Sequence, residues 1–219
     1  MKKNKKALCC FPAGGSVAEL ESPGGGNMGN GFQLVRLEEA GAVGFKREMQ
    51  KAFQYGYEVE LGPCAEVILP EEDIDRSLNA PGAVAYVAMV EGVPSGGAVV
   101  KIDPEGRRNH LELLFVKVGT QSRGVGQAIW RAIEELHPDT EVWETCTPYF
   151  EKRNLHFYIN CCGFHVVEFF NPRHRSPEEQ GEPERRCGGM SEEASSYFFR
   201  FEKQMNPGGA EVSERKNGI

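Results

Sequence analysis

The stretch of this chain that most directly implies chemistry runs Leu111-Glu112-Leu113-Leu114-Phe115-Val116-Lys117-Val118-Gly119-Thr120-Gln121-Ser122-Arg123-Gly124-Val125-Gly126-Gln127. An apolar strand leads into a loop whose glycines stand where an amphipathic helix begins. The first amides of a helix have no partners inside it, and the helix dipole adds partial positive charge at that end. Glycines let an anion approach this backbone with no Cβ in the way. The pattern suits a phosphate or pyrophosphate; a carboxylate, or no ligand at all, remains open on the same residues.

Two common phosphate loops are excluded. A P-loop requires Gly-x-x-x-x-Gly-Lys-Ser/Thr, and no Lys follows these glycines. A dinucleotide fold requires Gly-x-Gly-x-x-Gly, whereas Gly124-Val125-Gly126 is followed by Gln127, Ala128 and Ile129.

Titratable groups lie just upstream. Strand alternation puts His110, Glu112, Leu114 and Val116 on one side. An imidazole and a carboxylate then share the face that leads to the loop. Either could take a proton from a nucleophile, and Glu151 is a weaker candidate. The plainer reading of the first two is a charge near a strand start and a hydrogen-bonded histidine. Cys146, Cys161 and Cys162 fall in elements that read as core, where Cys is commonly a small buried hydrophobe, so a thiol nucleophile is discounted. His156, His165 and His174 lack metal-ligand spacing, and no metal is expected.

Gln121-Ser122-Arg123-Gly124-Val125-Gly126 fits the pattern Gln/Arg-x-x-Gly-x-Gly/Ala of the GNAT superfamily of acetyl-CoA-dependent N-acetyltransferases. The motif is weak alone, but its setting adds weight: a hairpin pair and a strand precede it, and an amphipathic helix follows. Downstream, Asn154-Leu155-His156-Phe157-Tyr158 and then Gly163-Phe164 resemble the family's second motif of Asn, then Tyr, then Gly-Phe. In element order the resemblance spans 32–203; its specific motifs occupy only Glu112 to Phe164.

The resemblance implies an α/β (mixed α+β) fold with a GNAT-like central mixed sheet of about seven strands flanked by about four helices. It implies acetyl-CoA as co-substrate. The strand around Val116 and Val118 would offer its backbone to the acetyl carbonyl and the pantetheine arm. Amides from Gln121 through Gln127, chiefly Arg123, Gly124, Val125 and Gly126, would hold the pyrophosphate. Asn154 would bind along the pantetheine arm, and Tyr158 would protonate the departing sulfur. Related enzymes often draw a Glu from this strand, which makes Glu112 the preferred base with His110 second. The implied reaction moves an acetyl or other short acyl group to a primary amine of a small molecule or peptide, by direct attack through a tetrahedral intermediate. The alternatives are an acyl-CoA-binding sensor without turnover, and a purely structural glycine turn.

One departure bears on Tyr158. The family usually has three residues between this Tyr and the Gly-Phe pair, whereas four separate Tyr158 from Gly163. An extra residue turns a helix position by about 100° unless a looser helix end absorbs it. The plainer reading of Tyr158 is an amphipathic core residue. Chemistry also limits its importance. A thiol with a pKa near ~8.5 already leaves fairly well, whereas an alkylamine with a pKa of ~10.4 is neutral only about once in 10³ molecules at pH 7. Removing that amine proton is worth roughly 4 kcal/mol, so a base matters more than an acid. A strand amide near Val116 would meet the oxyanion.

These groups need elements to hold them. Phe32 to Leu37 reads as a strand, and Phe45, Met49, Ala52 and Phe53 form the stripe of a helix. Glu71 to Leu78 is a short helix. Ala83 to Val90 and Gly96 to Ile102 are strands joined by the turn Glu91 to Ser95, and a second turn, Asp103 to Gly106, leads to the strand His110 to Val118. Gly124 to Leu136 is a helix with Ala128, Ile129, Ala132, Ile133 and Leu136 on one face. Glu141 to Thr147 is a strand; Thr147 would then cap a helix opening at Pro148, with Leu155, Tyr158, Ile159 and Cys162 on one side. Strands Phe164 to Phe170 and Tyr197 to Glu202 complete the order β-α-α-β-β-β-α-β-α-β-β.

Residues 31–205 are expected to form a single domain with a long loop at 172–193, after a disordered extension (1–30) and before a frayed tail (206–219). The 219 residues are 40% apolar, which suits a globular core. A net charge of −7 argues against nucleic acid as a partner, and the longest apolar runs are strand-sized, which argues against a membrane. Seven cysteines, two pairs of them adjacent, make no disulfide framework. With an N-terminus too short in apolar residues for a signal peptide, they point to reduced thiols in a cytoplasm. A homodimer is possible but no residue pattern demands one. Glu58, Glu60 and Glu66, near the expected acceptor entrance, favour cationic amines.

Overall fold

In the computed structural model, residues 31–120, 124–176 and 196–205 are described. The expected N-terminal extension, most of the long loop, the tail, and Gln121, Ser122 and Arg123 lie outside them. Apolar periodicity sets two helical layers on a seven-stranded sheet of order β1-β2-β3-β4-β5-β7-β6. The strands are β1 (Phe32–Arg36), β2 (Ala83–Val90), β3 (Val93–Lys101), β4 (Arg108–Val116), β5 (Val142–Pro148), β6 (His165–Phe170) and β7 (Phe198–Gln204). The helices are α1 (Ala42–Leu61), α2 (Glu71–Leu78), α3 (Val125–Leu136) and α4 (Lys152–His156). Every neighbouring pair is antiparallel except β4–β5, which α3 joins as a crossover. Among the described residues no helix is long and apolar enough to cross a membrane.

The 3.6-residue stripes decide which face each helix covers. Val125, Ile129, Trp130 and Ile133 of α3 pack on Ala98, Val100, Leu111 and Trp143. Each such side chain contributes about 2 kcal/mol by leaving water. On the opposite face Phe45 and Met49 of α1 and Ile74 of α2 pack on Val99 and Phe115.

A bulge in β4 changes the expected alternation. Val99 pairs with Leu113 but its neighbour Val100 pairs with Leu111, leaving Glu112 as an extra residue. Leu111, Leu114 and Val116 consequently pack with α3, while Leu113 and Phe115 pack with α1. His110 and Glu112 alternate against Leu111 and so face the α1 side. The expectation that His110, Glu112, Leu114 and Val116 share a side is therefore wrong, because one inserted residue reverses the phase of all that follow.

Three further expectations are corrected. The β2–β3 turn is only Glu91-Gly92, with Val93 and Pro94 already in β3. Thr147 is no helix cap: Pro148 closes β5, and Tyr149 still donates its amide to Tyr197 O at 2.9 Å, so continued pairing with β7 holds the residues a helix start would need. Finally, α4 widens into a π turn over Phe157–Cys161, in which Cys162 N bonds Phe157 O at 3.0 Å. The wider turn takes up the extra residue before Gly163 and leaves Ile159 outside at 41% exposure, while Tyr158 and Cys162 stay buried.

Candidate active site

The parallel β4–β5 ladder is short. It runs from Arg108↔Val142 to Leu111↔Thr145, after which β4 continues beside β3 and β5 beside β7. The two strands part into a fork, and α3 begins where β4 ends. Gly124 precedes α3 with φ +76°, a left-handed conformation that disfavours any Cβ, and it has no side chain to cap the first helical amides. A Cβ on Gly126 would lie 3.2 Å from the Phe157 ring and 3.5 Å from Val116 Cγ2, so the glycine lets the first turn seat closely between β4 and the turn after α4 without displacing that ring. Val116 thus lines the fork beside this turn, and Val118 is exposed just beyond the strand. Gln127 sits half-buried in the same turn.

Tyr158 reaches the fork from below. It is 7% exposed and its ring lies 5.6 Å from those of Phe164 and Phe201. Its hydroxyl bonds Thr145, whose Oγ1 donates to Leu111 O at 2.9 Å. Thr145 and Leu111 are the last pair before the strands part. A chain from phenol to hydroxyl to carbonyl therefore ends at the apex of the fork. Burial drives the Tyr158 pKa upward, so the phenol keeps its proton and can donate it. Asn154 donates from Nδ2 to Thr147 Oγ1 at 3.2 Å, which fixes α4 to the inner side of β5.

The α1-facing side of the fork carries titratable groups. His110 Nδ1 lies 3.2 Å from Glu112 Oε1. The contact is ionic rather than well directed, because among the described residues Nδ1 has no aligned hydrogen-bond acceptor. Burial is the largest influence on His110 and pulls it down. Interaction with Cys146 and with the Glu112 carboxylate outweighs burial and pushes the imidazole up to about 9. His110 hydrogen-bonding in turn holds Glu112 below the usual carboxylate range against burial. At neutral pH the pair is imidazolium and carboxylate, so of the two expected bases only Glu112 is free to accept a proton.

Glu151 stands at the start of α4, where burial first and the Glu60 carboxylate second raise its pKa. Its Oε1 would lie 3.4 Å from a Cβ on Gly56 of α1, and the Phe150 ring meets Tyr57 edge-on at 5.5 Å. This corner between α1 and α4 holds Glu60 and Glu151 together. Glu58 instead bonds Gln54, and Glu66 is exposed in the loop after α1. Cys146 was expected in the core and is exposed instead. The bare alternation of β5, with Thr145 and Thr147 buried and Cys146 between them, is the signal that could have placed it. Among the described residues no group of three or more His, Cys, Asp or Glu could hold a metal ion.

Comparison with known proteins agrees with this architecture. The sequence model of the Acetyltransferase (GNAT) family matches residues 47–164. The uncharacterized protein YrkN of Bacillus subtilis (strain 168) is 44% identical over 176 residues, covering 78% of this chain and 92% of its own length. The ribosomal-protein-S18-alanine N-acetyltransferase of Escherichia coli has a similar fold, with TM-score 0.56 and 10% identity over 84% of this chain and 99% of its own. So does a Bacillus subtilis acetyltransferase in complex with CoA, with TM-score 0.53 and 17% identity over 80% and 99%. A GNAT acetyltransferase from Elizabethkingia anophelis with acetyl-CoA bound gives TM-score 0.56 at 12% identity over 80% and 99%. With the family model covering more than half of the sequence and the fork, glycine turn and crossover helix in their places, this chain belongs to the GNAT acetyltransferase family.

Proposed function

We propose that this protein is an N-acetyltransferase that moves an acetyl or short acyl group from acetyl-CoA to a primary amine of a small molecule or peptide. The observation that carries this reading is the parting of β4 and β5 directly before the left-handed Gly124 and the uncapped start of α3. An acyl thioester fits such a fork: unpaired β4 backbone offers hydrogen bonds to a carbonyl and to the amides of the pantetheine arm, and the helix start receives pyrophosphate. In this reading Val116 and Val118 flank the arm, and Gln121, Arg123, Gly124, Val125, Gly126 and Gln127 hold the phosphates. Asn154 supports the β5 side of the arm through Thr147.

The amine arrives from the α1 side. Glu112 accepts its proton, and the nitrogen attacks the acetyl carbon to give a tetrahedral intermediate whose oxyanion faces a β4 amide near Val116. As the C–S bond breaks, Tyr158 supplies a proton to the sulfur along the Thr145 apex. The Glu60–Glu151 corner favours a cationic acceptor. The protein works in the cytoplasm with thiols reduced; assembly as a homodimer is compatible with this chemistry.

The test is calorimetric titration with acetyl-CoA, beside a Gly124→Glu/Gly126→Glu variant, followed by screening amines for thiol release. One-site binding lost in the variant, with release that depends on an amine, supports the proposal. A well-folded wild type that binds no acetyl-CoA refutes it, and binding without turnover on any amine refutes the enzymatic part.

A further inference from the structure

Cys146 is the first residue of β5 beyond the last β4–β5 pair, Leu111↔Thr145, and so stands at the mouth of the fork. Its neighbours Thr145 and Thr147 are buried under α3 and α4, whereas Cys146 is exposed on the opposite face with Glu144. In the parallel register His110 lies opposite Glu144, so the imidazole shares that face with Cys146, and interaction with Cys146 is among the influences that raise the imidazole pKa. Glu112 contacts the same ring at Nδ1, 3.2 Å away. Thiol, imidazolium and carboxylate follow one another: a nucleophile, the group that relays its proton, and the base that accepts it.

The surrounding charges are engaged elsewhere. Arg200 lies opposite Cys146 in the β5–β7 register, but its guanidinium is bound to Glu144, Glu168 and Glu202. Arg108 is likewise held by Glu144 and Glu202. His110 is thus the group that serves the thiol. The buried Cys162 makes a contrast, since burial pushes its thiol up to about 12 and keeps it protonated.

We propose that Cys146, served by His110 and Glu112, is a second acyl acceptor that takes the acetyl group from bound acetyl-CoA as a thioester when no amine is present. This rests on the acetyltransferase reading above and adds a covalent branch to it. The thiol proton passes to the Glu112 carboxylate by relay through the His110 imidazolium, and the Cys146 sulfur attacks the acetyl carbonyl carbon to form a new C–S bond. The C–S bond to CoA breaks as the tetrahedral intermediate collapses, and the CoA sulfur leaves with the proton that Glu112 returns through His110. One thioester replaces another, so no oxidant, reductant or further reactant is required. An amine arriving later attacks the Cys146 thioester; its N–C bond forms, the C–S bond breaks, and the amine proton returns to the Cys146 sulfur through His110.

The experiment incubates the full chain with acetyl-CoA and no amine, quenches in acid, and reads intact mass and peptide maps before and after neutral hydroxylamine. The expected result is one acetyl group, removed by hydroxylamine, mapped to Cys146 and absent from Cys146→Ala. In His110→Gln its formation slows by about tenfold or more. Thermal melting of both variants checks that they fold, and Cys146→Ser, nearly isosteric, serves if the Ala variant does not. Wild type that binds acetyl-CoA and acetylates amines, yet gains no hydroxylamine-labile mass, overturns the branch and leaves the acetyltransferase reading intact. Label on Cys161, whose Sγ lies 3.6 Å from His156 Nε2, or on lysine, also overturns it. Failure to bind acetyl-CoA overturns both proposals.

Discussion

The ring of Phe157 stands 3.2 Å from the point where Gly126 would carry a Cβ. The contact joins the first turn of α3 to the π turn after α4, two segments remote in sequence that meet over the fork. Gly126→Ala should push the ring outward by a few tenths of an ångström and weaken acetyl-CoA binding by about tenfold. Adding Phe157→Leu should restore most of the loss. A double-mutant cycle by calorimetry measures the coupling, and independent effects would show that the contact is incidental.

Gly124→Ala acts differently. No atom lies within 4 Å of its Cβ position, but φ is +76°, so the cost is backbone strain of about 1 kcal/mol. The melting temperature should drop by a few degrees. Denaturation that is unchanged from wild type would count against the left-handed assignment.

Tyr158→Phe removes the hydroxyl that bonds buried Thr145. Stability should fall by about 1 kcal/mol. Turnover with a good amine should fall by about tenfold, with little change in KM for acetyl-CoA, because a thiolate leaves moderately well unaided. A loss of several thousandfold would mean that protonation of sulfur, rather than attack by nitrogen, limits the rate.

The His110–Glu112 pair makes stability depend on pH. The folded pKa of His110, about 9, exceeds the ordinary histidine value of ~6.5, so the folded state binds the extra proton more tightly. Its contribution is fully present below pH ~6.5 and is lost as pH rises through about 9. The groups facing the ring are Glu112 and Cys146, with Lys101 opposite it in the β3–β4 register. The difference in melting temperature between wild type and His110→Gln should therefore shrink steadily over that interval. A difference that stays flat, or grows with pH, would contradict the pairing.

Glu112→Gln leaves a protonated His110 without its counter-ion and the amine without a base. Turnover at neutral pH should fall by about 10². Raising the pH should recover part of it as more amine is neutral. Equal losses at all pH values would assign Glu112 a structural role instead.

Much of this was legible in residue types and spacing. The stripes of α1 and α3 and the glycines before α3 each follow a local rule and stand where that rule puts them, and the β2–β3 hairpin forms as its turn residues imply, with a tighter turn of Glu91-Gly92. What escaped was non-local. The bulge at Glu112 depends on how β4 sits against β3, and a one-residue slip moved Leu114 and Val116 to the other face. The π turn depends on Phe164 N reaching Tyr158 O at 2.9 Å, which closes the widened helix end. Thr147 looked like a cap because Pro148 suits a first turn, yet β7 claimed the strand through Tyr197. The meeting of Cys146 with His110, and of Glu151 with Glu60, required the parallel β4–β5 register and the approach of α1 to α4. Neither can be read from a single segment.

The fork also gives the molecule a mechanical character. Seven strands share one sheet, but among the described residues only four registered pairs, from Arg108↔Val142 to Leu111↔Thr145, make the parallel ladder between a four-stranded plate and a three-stranded plate. Past Leu111↔Thr145 the two plates diverge like the arms of a fork, with Trp130 and Trp143 packed edge-on in the core that α3 builds against both. A wedge driven between the arms exerts leverage on the pair nearest the opening. His110 sits one place from that pair, so whatever fills the gap has the charged cluster as its immediate neighbour.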